Sequence, residues 1–245
     1  MVVVLLVLLL VSSLQAQVNI EHYRGKMGIT GGARFSLSSD LGNVDVVNSE
    51  GAGNLTVNTT RGVFLGVFKG GVGFLGGKRF ANSGVLHLRW TIFADARYQP
   101  EIFAQGDYAK PRRLDNRMLA GAGLRFNACE AEHSTLSFGS ALMWEREKLD
   151  LLPADRHAAS TELARWSNYI NLSFDGRMGF ATTAYVQTAL SDPGDMRLLG
   201  TAELSTPIIG PLHQTTSLDF RIDSEPPLGV EKQDVKFGAS FGMKF

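Results

Sequence analysis

The sequence predicts an all-β fold, an antiparallel transmembrane β-barrel of about twelve strands after a cleaved signal peptide. Three observations lead there. Apolar and polar residues alternate with a period of two from about residue 27 to the C-terminus. Most alternating runs last about ten to thirteen residues, enough to cross a bilayer at a tilt, whereas soluble sheets favour about five to six. No segment carries a convincing helical period, so no helix would cover the sheet, and long uncovered strands must close to lose their edges.

Residues 2–11 form an unbroken run of Val and Leu, followed by Ser12, Ser13, Leu14, Gln15 and Ala16. The run is too short to span the roughly 30 Å hydrocarbon core as a helix. The small residues beyond it mark residues 1–16 as a signal peptide cleaved near Ala16, although no Lys or Arg precedes the run. Residues 17–245 are then the barrel. No later stretch approaches about 18 consecutive apolar residues, which excludes a helical membrane protein.

Strands are expected at about 27–38, 44–58, 62–74, 84–94, 98–109, 116–127, 134–147, 164–174, 178–188, 196–206, 213–223 and 234–245. The last is the clearest. Val235, Phe237, Ala239, Phe241, Met243 and Phe245 alternate with Lys236, Gly238, Ser240, Gly242 and Lys244. Likewise Leu86, Leu88, Trp90 and Ile92 alternate with His87, Arg89 and Thr91, and Leu218, Phe220 and Ile222 with Ser217, Asp219, Arg221 and Asp223. Turn clusters such as Asp175-Gly176-Arg177, Asp192-Pro193-Gly194-Asp195 and Ser224-Glu225-Pro226-Pro227 separate the runs. With both termini periplasmic, odd-numbered connections face the exterior and should be the long ones. The longest, about 148–163, is the seventh; the even connections near 128–133 and 207–212 are longer than that rule prefers.

Composition narrows the function classes. Basic and acidic side chains number 24 each, so no basic excess points to nucleic acid. The single cysteine, Cys129, excludes a disulfide framework and a cysteine-based metal site.

A charge facing hydrocarbon at the bilayer midplane costs roughly 2–4 kcal/mol, so the charged alternates must point inward. That places a polar network in the lumen: His87, Arg89, Glu101, Gln105, Arg117, Arg125, Glu145, Arg197, Asp219 and Arg221, with Arg34, Asp107, Arg165, Glu203 and Lys236 on the same face. These groups either pair and fill the lumen or line a narrow aqueous channel, and a count of twelve strands does not choose between the two. Inward glycines (Gly28, Gly32, Gly121, Gly123, Gly139 and Gly179) either leave room near the wall or serve its curvature. Trp90, Trp144, Trp166 and Phe245 fall on the lipid face as candidates for the interfacial aromatic girdles. A terminal aromatic after alternating apolar residues resembles the signal read by the outer-membrane assembly machinery. The expected partners are that machinery and outer-membrane lipid.

Six stretches occur in the order found in a known family: Leu86-His87-Leu88-Arg89-Trp90, Glu101-Ile102-Phe103-Ala104-Gln105, Arg117 through Arg125, Trp144-Glu145, Asp195-Met196-Arg197-Leu198 and Asp223-Ser224-Glu225-Pro226-Pro227. Over about residues 20–245 the chain resembles uncharacterised, salt-induced outer-membrane proteins of Gram-negative bacteria. The resemblance implies a barrel, an outer-membrane location and no established biochemical activity.

The leading expectation is therefore an outer-membrane barrel of unestablished activity, related to envelope or salt stress. A narrow channel for ions or small solutes is the alternative. A lipid-modifying enzyme, the second alternative, needs a nucleophile and a base near the outer leaflet. Of His22, His87, His133, His157 and His213, only His157 falls on the outer side, near Ser160 and without a fixed orienting acid. No enzyme, cofactor or metal site is expected, and Asp192, Asp195 and Glu162 are read as loop-solvating residues.

Overall fold

A computed structural model describes residues 27–40 and 46–245 of the chain. The expected signal peptide and His22 lie outside the described residues. Twelve strands follow one another: β1 (Gly28–Asp40), β2 (Val46–Thr59), β3 (Gly62–Leu75), β4 (Lys78–Ile92), β5 (Tyr98–Ala109), β6 (Leu114–Ala131), β7 (Ser134–Leu149), β8 (Ser160–Asp175), β9 (Gly179–Ala189), β10 (Met196–Ile209), β11 (Leu212–Asp223) and β12 (Gln233–Lys244). Each pairs antiparallel with its neighbours in the chain, and β12 pairs with β1 to close the barrel. The shortest strand has 11 residues and the longest 18. At roughly 3.3 Å per residue and a tilt near 45°, even the shortest rises about 25 Å, the height of a lipid-facing apolar band.

The two faces of each strand are unlike, and the sense is inverted relative to a soluble protein. Along β7, Ser137, Ala141, Met143, Glu145 and Glu147 are buried inside, while Phe138, Leu142 and Trp144 stand exposed outside. Around the barrel, Phe68, Leu86, Ile170, Phe237 and Phe241 are likewise exposed, and Arg89, Glu101, Arg125 and Arg165 are buried. Such a continuous apolar exterior is stable against hydrocarbon and not against water. The fold is thus a closed barrel of the transmembrane type. Its interior apolar knot is small: Leu65, Val67, Tyr169, Tyr185 and Leu199.

Strand ends differ from the sequence reading where the period breaks. β6 runs on to Ala131 and β10 to Ile209, so the two long even connections shrink to residues 132–133 and 210–211. Both strands carry register shifts, at Asn127/Cys129 and at Pro207/Ile209. A bulge inserts one residue and flips the faces beyond it, which hides the continuation from a period-two reading. β4 begins at Lys78 for a related reason: a bulge at Gly73/Phe74 precedes a tight turn at Gly76 and Gly77, with φ of 54° and 75°. After this correction the long connections, 150–159, 190–195 and 224–232, all lie at one end of the barrel.

Candidate functional site in the lumen

Alternation brings together inside the barrel residues as far apart in the chain as His87 and Arg221. All ten residues assigned to the polar network point inward; nine are buried and Asp219 is half-buried. One connected system runs along β4–β11. Thr91 Oγ1 and Arg89 Nη1 each donate to Glu101, at 3.0 Å, and Tyr169 Oη reaches the same carboxylate at 2.7 Å. Arg89 also lies over the Phe103 and Tyr169 rings, 5.2 and 5.5 Å from their centroids. Its Nε faces His87 Nε2 at 3.4 Å, while His87 Nδ1 meets Gln105 Oε1 at 3.0 Å. Arginine can only donate and the amide oxygen can only accept, so the imidazole carries its proton on Nδ1.

Gln105 passes the chain to Asp107 at 3.2 Å, and Arg117 Nε donates to the same carboxylate at 3.0 Å. Glu145 is the hub of the outer half. It accepts from Arg165 at 2.8 Å and from Arg197 at 3.1 Å, with Arg117 at 3.8 Å. Arg197 also reaches Glu147 at 2.8 Å and Asp223 at 3.3 Å, and Arg221 pairs with Asp223. Five guanidinium groups (Arg112, Arg117, Arg165, Arg197, Arg221) thus meet five carboxylates (Asp107, Glu145, Glu147, Asp195, Asp223). The balance lets these charges lie buried, each with an opposite partner in place of water.

Asp195 corrects the expectation of a loop-solvating residue. Its two carboxylate oxygens take Arg165 Nη1 and Nη2 at 3.0 and 2.7 Å, a fork that ties the 190–195 loop to β8. Glu162 is similarly engaged, accepting from Trp144 Nε1 at 2.8 Å. The polar network read from the sequence leaves out Tyr169, Tyr185 and Glu147, and also Asp223, which the alternation itself sets on the inward face. Each shares the parity of a residue already assigned inward, which was the available signal.

The opposite wall is built differently. Along β11, β12, β1 and β2, inward groups such as Ser217, Asp219, Lys236, Ser240, Arg34 and Glu50 are only half-buried. Here ion pairs cross between strands far apart in the chain: Arg34 Nη2 donates to Glu203 Oε1 at 2.6 Å, and Lys236 pairs with Glu50. Two cavities of about 60 Å³ each sit at successive depths and share Arg34, Ala52 and Lys69 in their walls. The lower shares Lys244 with a cavity of about 510 Å³ at the mouth where the tight turns lie. The upper includes Asp219 and Lys236, two positions along their strands from the register partners Arg221 and Asp234, which line a separate cavity of about 110 Å³ at the other mouth.

That second mouth is overhung by the long loops. The Asp155 carboxylate accepts from the backbone N–H and the ring Nδ1 of His157, at 3.0 and 2.7 Å, and from the backbone N–H of Leu228 at 2.7 Å. These bonds, the His157 backbone bond foremost, hold Asp155 down to about 2. The orienting acid of His157 is therefore Asp155, and the pair joins the 150–159 loop to the 224–232 loop. Ser224 extends the tie: its Oγ donates to the Gly194 carbonyl and accepts from the Met196 N–H, both at 2.8 Å.

Trp90, Trp144, Trp166 and Phe245 are all exposed on the outer face. Trp144 and Trp166 lie in the half nearer the long loops, and Trp90 and Phe245 near the opposite end. The indole N–H groups of Trp144 and Trp166 find Glu162 and Ser140, each at 2.8 Å, as amphipathic rings at a membrane interface do.

Among solved structures, the translocator domain of the autotransporter NalP from Neisseria meningitidis is similar over 90% of this chain and 89% of that one, with 10% identity and a TM-score of 0.50. The NanC porin is 9% identical over 88% of this chain and 97% of its own, with a TM-score of 0.48. At such identity the likeness shows the fold alone. No curated protein matches the chain. The family described as "Protein of unknown function, DUF481" matches residues 33–245, from the first strand through the last. The chain belongs to the DUF481 family.

Proposed function

We propose that the protein resides in the outer membrane of a Gram-negative bacterium and carries small solutes or ions along one wall of its lumen. The observation that carries this reading is the asymmetry of the interior. From β4 to the Arg221–Asp223 end of β11 the inward side chains are mostly buried and their charges paired, whereas on the rest of β11, on β12, on β1 and at Glu50 of β2 polar groups stay half-exposed beside two adjoining cavities that lead toward the mouth of tight turns. Polar groups left half-exposed inside a barrel are stable where water reaches them, and cavities of this size and polarity hold water. The Arg34–Glu203 and Lys236–Glu50 pairs constrict these cavities, so the path is narrow.

Both termini are periplasmic in this reading, which puts the long loops outside the cell. The C-terminal strand and Phe245 are what the assembly machinery engages. His157 acts as a loop tie and is given no catalytic role.

Single-channel recording of the refolded barrel in a planar bilayer tests the proposal. Discrete conductance steps that change size in Glu203→Gln are expected. A silent bilayer, with a heat-modifiable band proving folding and insertion, would overturn it. That outcome would favour a second reading, a closed scaffold serving envelope integrity under salt stress. The supporting observation for the scaffold is the charge-balanced network, which braces seven of the twelve strands, β4 to β8, β10 and β11.

A further inference from the structure

We infer that the path selects small anions and that Lys69 is a main determinant of that selectivity; the inference rests on the solute path proposed above. The two narrow cavities are where selection must occur, since every solute passes within contact distance of their walls. The lower is lined by three basic side chains, Arg34, Lys69 and Lys244, against one carboxylate, Glu203. His213 adds a fourth nitrogen base. The upper is lined by Arg34, Lys69 and Lys236 against Glu50 and Asp219. Pairing inside each cavity does not alter the count, so both carry a cationic excess, larger in the lower. In a narrow, low-dielectric passage a wall charge acts on the permeating ion almost unscreened.

The wide mouth beneath is of opposite sign. Asp95, Glu130, Glu132 and Asp175 line it with His133 and Lys244. Its volume of about 510 Å³ admits bulk electrolyte, and exposed charges there are screened over about 8 Å at physiological salt. The vestibule thus modulates local concentration, while the constriction sets the sign of selection. Cavities of about 60 Å³ each suit small anions, of the size of halides or short carboxylates.

Lys69 and Arg34 line both cavities, but Arg34 is also a constricting partner of Glu203. Lys69 is therefore the position to substitute, since changing Arg34 would also remove its pair with Glu203. Lys69→Glu would turn the lower cavity to two cations against two anions and the upper to two against three.

The experiment is the reversal potential of the mature barrel in a planar bilayer across a tenfold potassium chloride gradient. A sign corresponding to chloride permeability several-fold above potassium is expected, and Lys69→Glu should abolish or reverse it. Lys244→Glu, at the end of β12, is measured in parallel and should reduce the preference by itself even if the Lys69 variant does not fold. Conductance with no ion preference, or with a preference for potassium, overturns the inference and leaves the solute path standing. No conductance from inserted barrels overturns both. Unchanged chloride preference in the folded Lys69→Glu barrel removes Lys69 from the selecting role.

Discussion

Tyr169 lies against Gly139 on the inner wall, so close that a methyl group at the glycine would stand 2.0 Å from the ring. The two are register partners on β8 and β7. Because the wall is bare there, the phenol can lie across it and place its hydroxyl 2.7 Å from Glu101, on β5, across the lumen. This glycine makes room for a ring rather than for water.

Gly139→Ala should therefore lift the ring and weaken its bond to Glu101. The expected loss is about 1–3 kcal/mol in urea unfolding of the lipid-inserted barrel, the usual cost of forcing an extra carbon into a packed site. Tyr169→Phe keeps the packing and loses only the hydroxyl bond to a charged acceptor, so its loss should be about as large. Wild-type stability in Gly139→Ala would show that the close approach has no structural weight.

Glu145, the hub of the outer half, gives a second test. Its removal takes one buried carboxylate from Arg165, Arg197 and Arg117, each of which keeps another in Asp195, Glu147 or Asp107. Glu145→Ala should cost about 1–3 kcal/mol, the usual loss when a buried charged group forfeits a hydrogen-bond partner. Adding Arg197→Met to that variant should recover part of the loss, and the coupling is read from a double-mutant cycle. Strict additivity of the two changes would dismiss the hub.

How far the sequence reveals this arrangement depends on which physical term is in play. Alternation is written into every strand, because lipid tolerates no charge and a lumen full of Phe would leave the charges outside. Hence Arg89, Glu101, Arg125 and Glu145 were placed inward from period alone. Bulges are not visible that way: beyond Asn127/Cys129 the faces exchange, and the alternation breaks although the strand continues. Partnership is also hidden. Arg165 and Asp195 meet because β8 and the 190–195 loop are adjacent in space, and nothing in residue types distinguishes that carboxylate from Asp192. The emptier wall along β11, β12, β1 and β2 is legible only afterwards, in its Gly, Ser and Ala at inward positions.

The loop tie at Asp155 gives a pH expectation with a definite sign. A carboxyl held at about 2, below its ordinary value near 3.9, binds its proton less readily in the closed loop than in the open one. The tie is thus fully present above about pH 4 and is lost as pH falls through about 2. Spin labels placed on the 150–159 and 224–232 loops should report one short distance from pH 7 to about pH 4, broadening toward pH 2. Asp155→Ala should show the broad distribution already at pH 7. A single short distance in that variant would mean that Leu152, Pro227 and their neighbours hold the loops without the carboxylate.

The seam between β1 and β12 has four register pairs, against thirteen between β1 and β2. Phe245 reinforces it from beyond the end of β12. Its backbone N–H and carbonyl exchange two bonds with Gly31, each 2.9 Å, and its ring stands where a Gly31 side chain would be. Closure is what removes the last unpaired strand edges from the bilayer, so this short seam is the part of the barrel with least to lose. Deleting Phe245 removes both bonds, at a net cost of about 1 kcal/mol each, and should lower the folded, heat-modifiable fraction in pure lipid vesicles. Phe245→Ala retains the backbone bonds and loses only the ring. If the aromatic is also read by the assembly machinery, Phe245→Ala should fold in vesicles nearly as well as wild type yet fail to accumulate in the outer membrane of cells. Normal accumulation in cells would confine Phe245 to the seam and leave recognition to the rest of the strand.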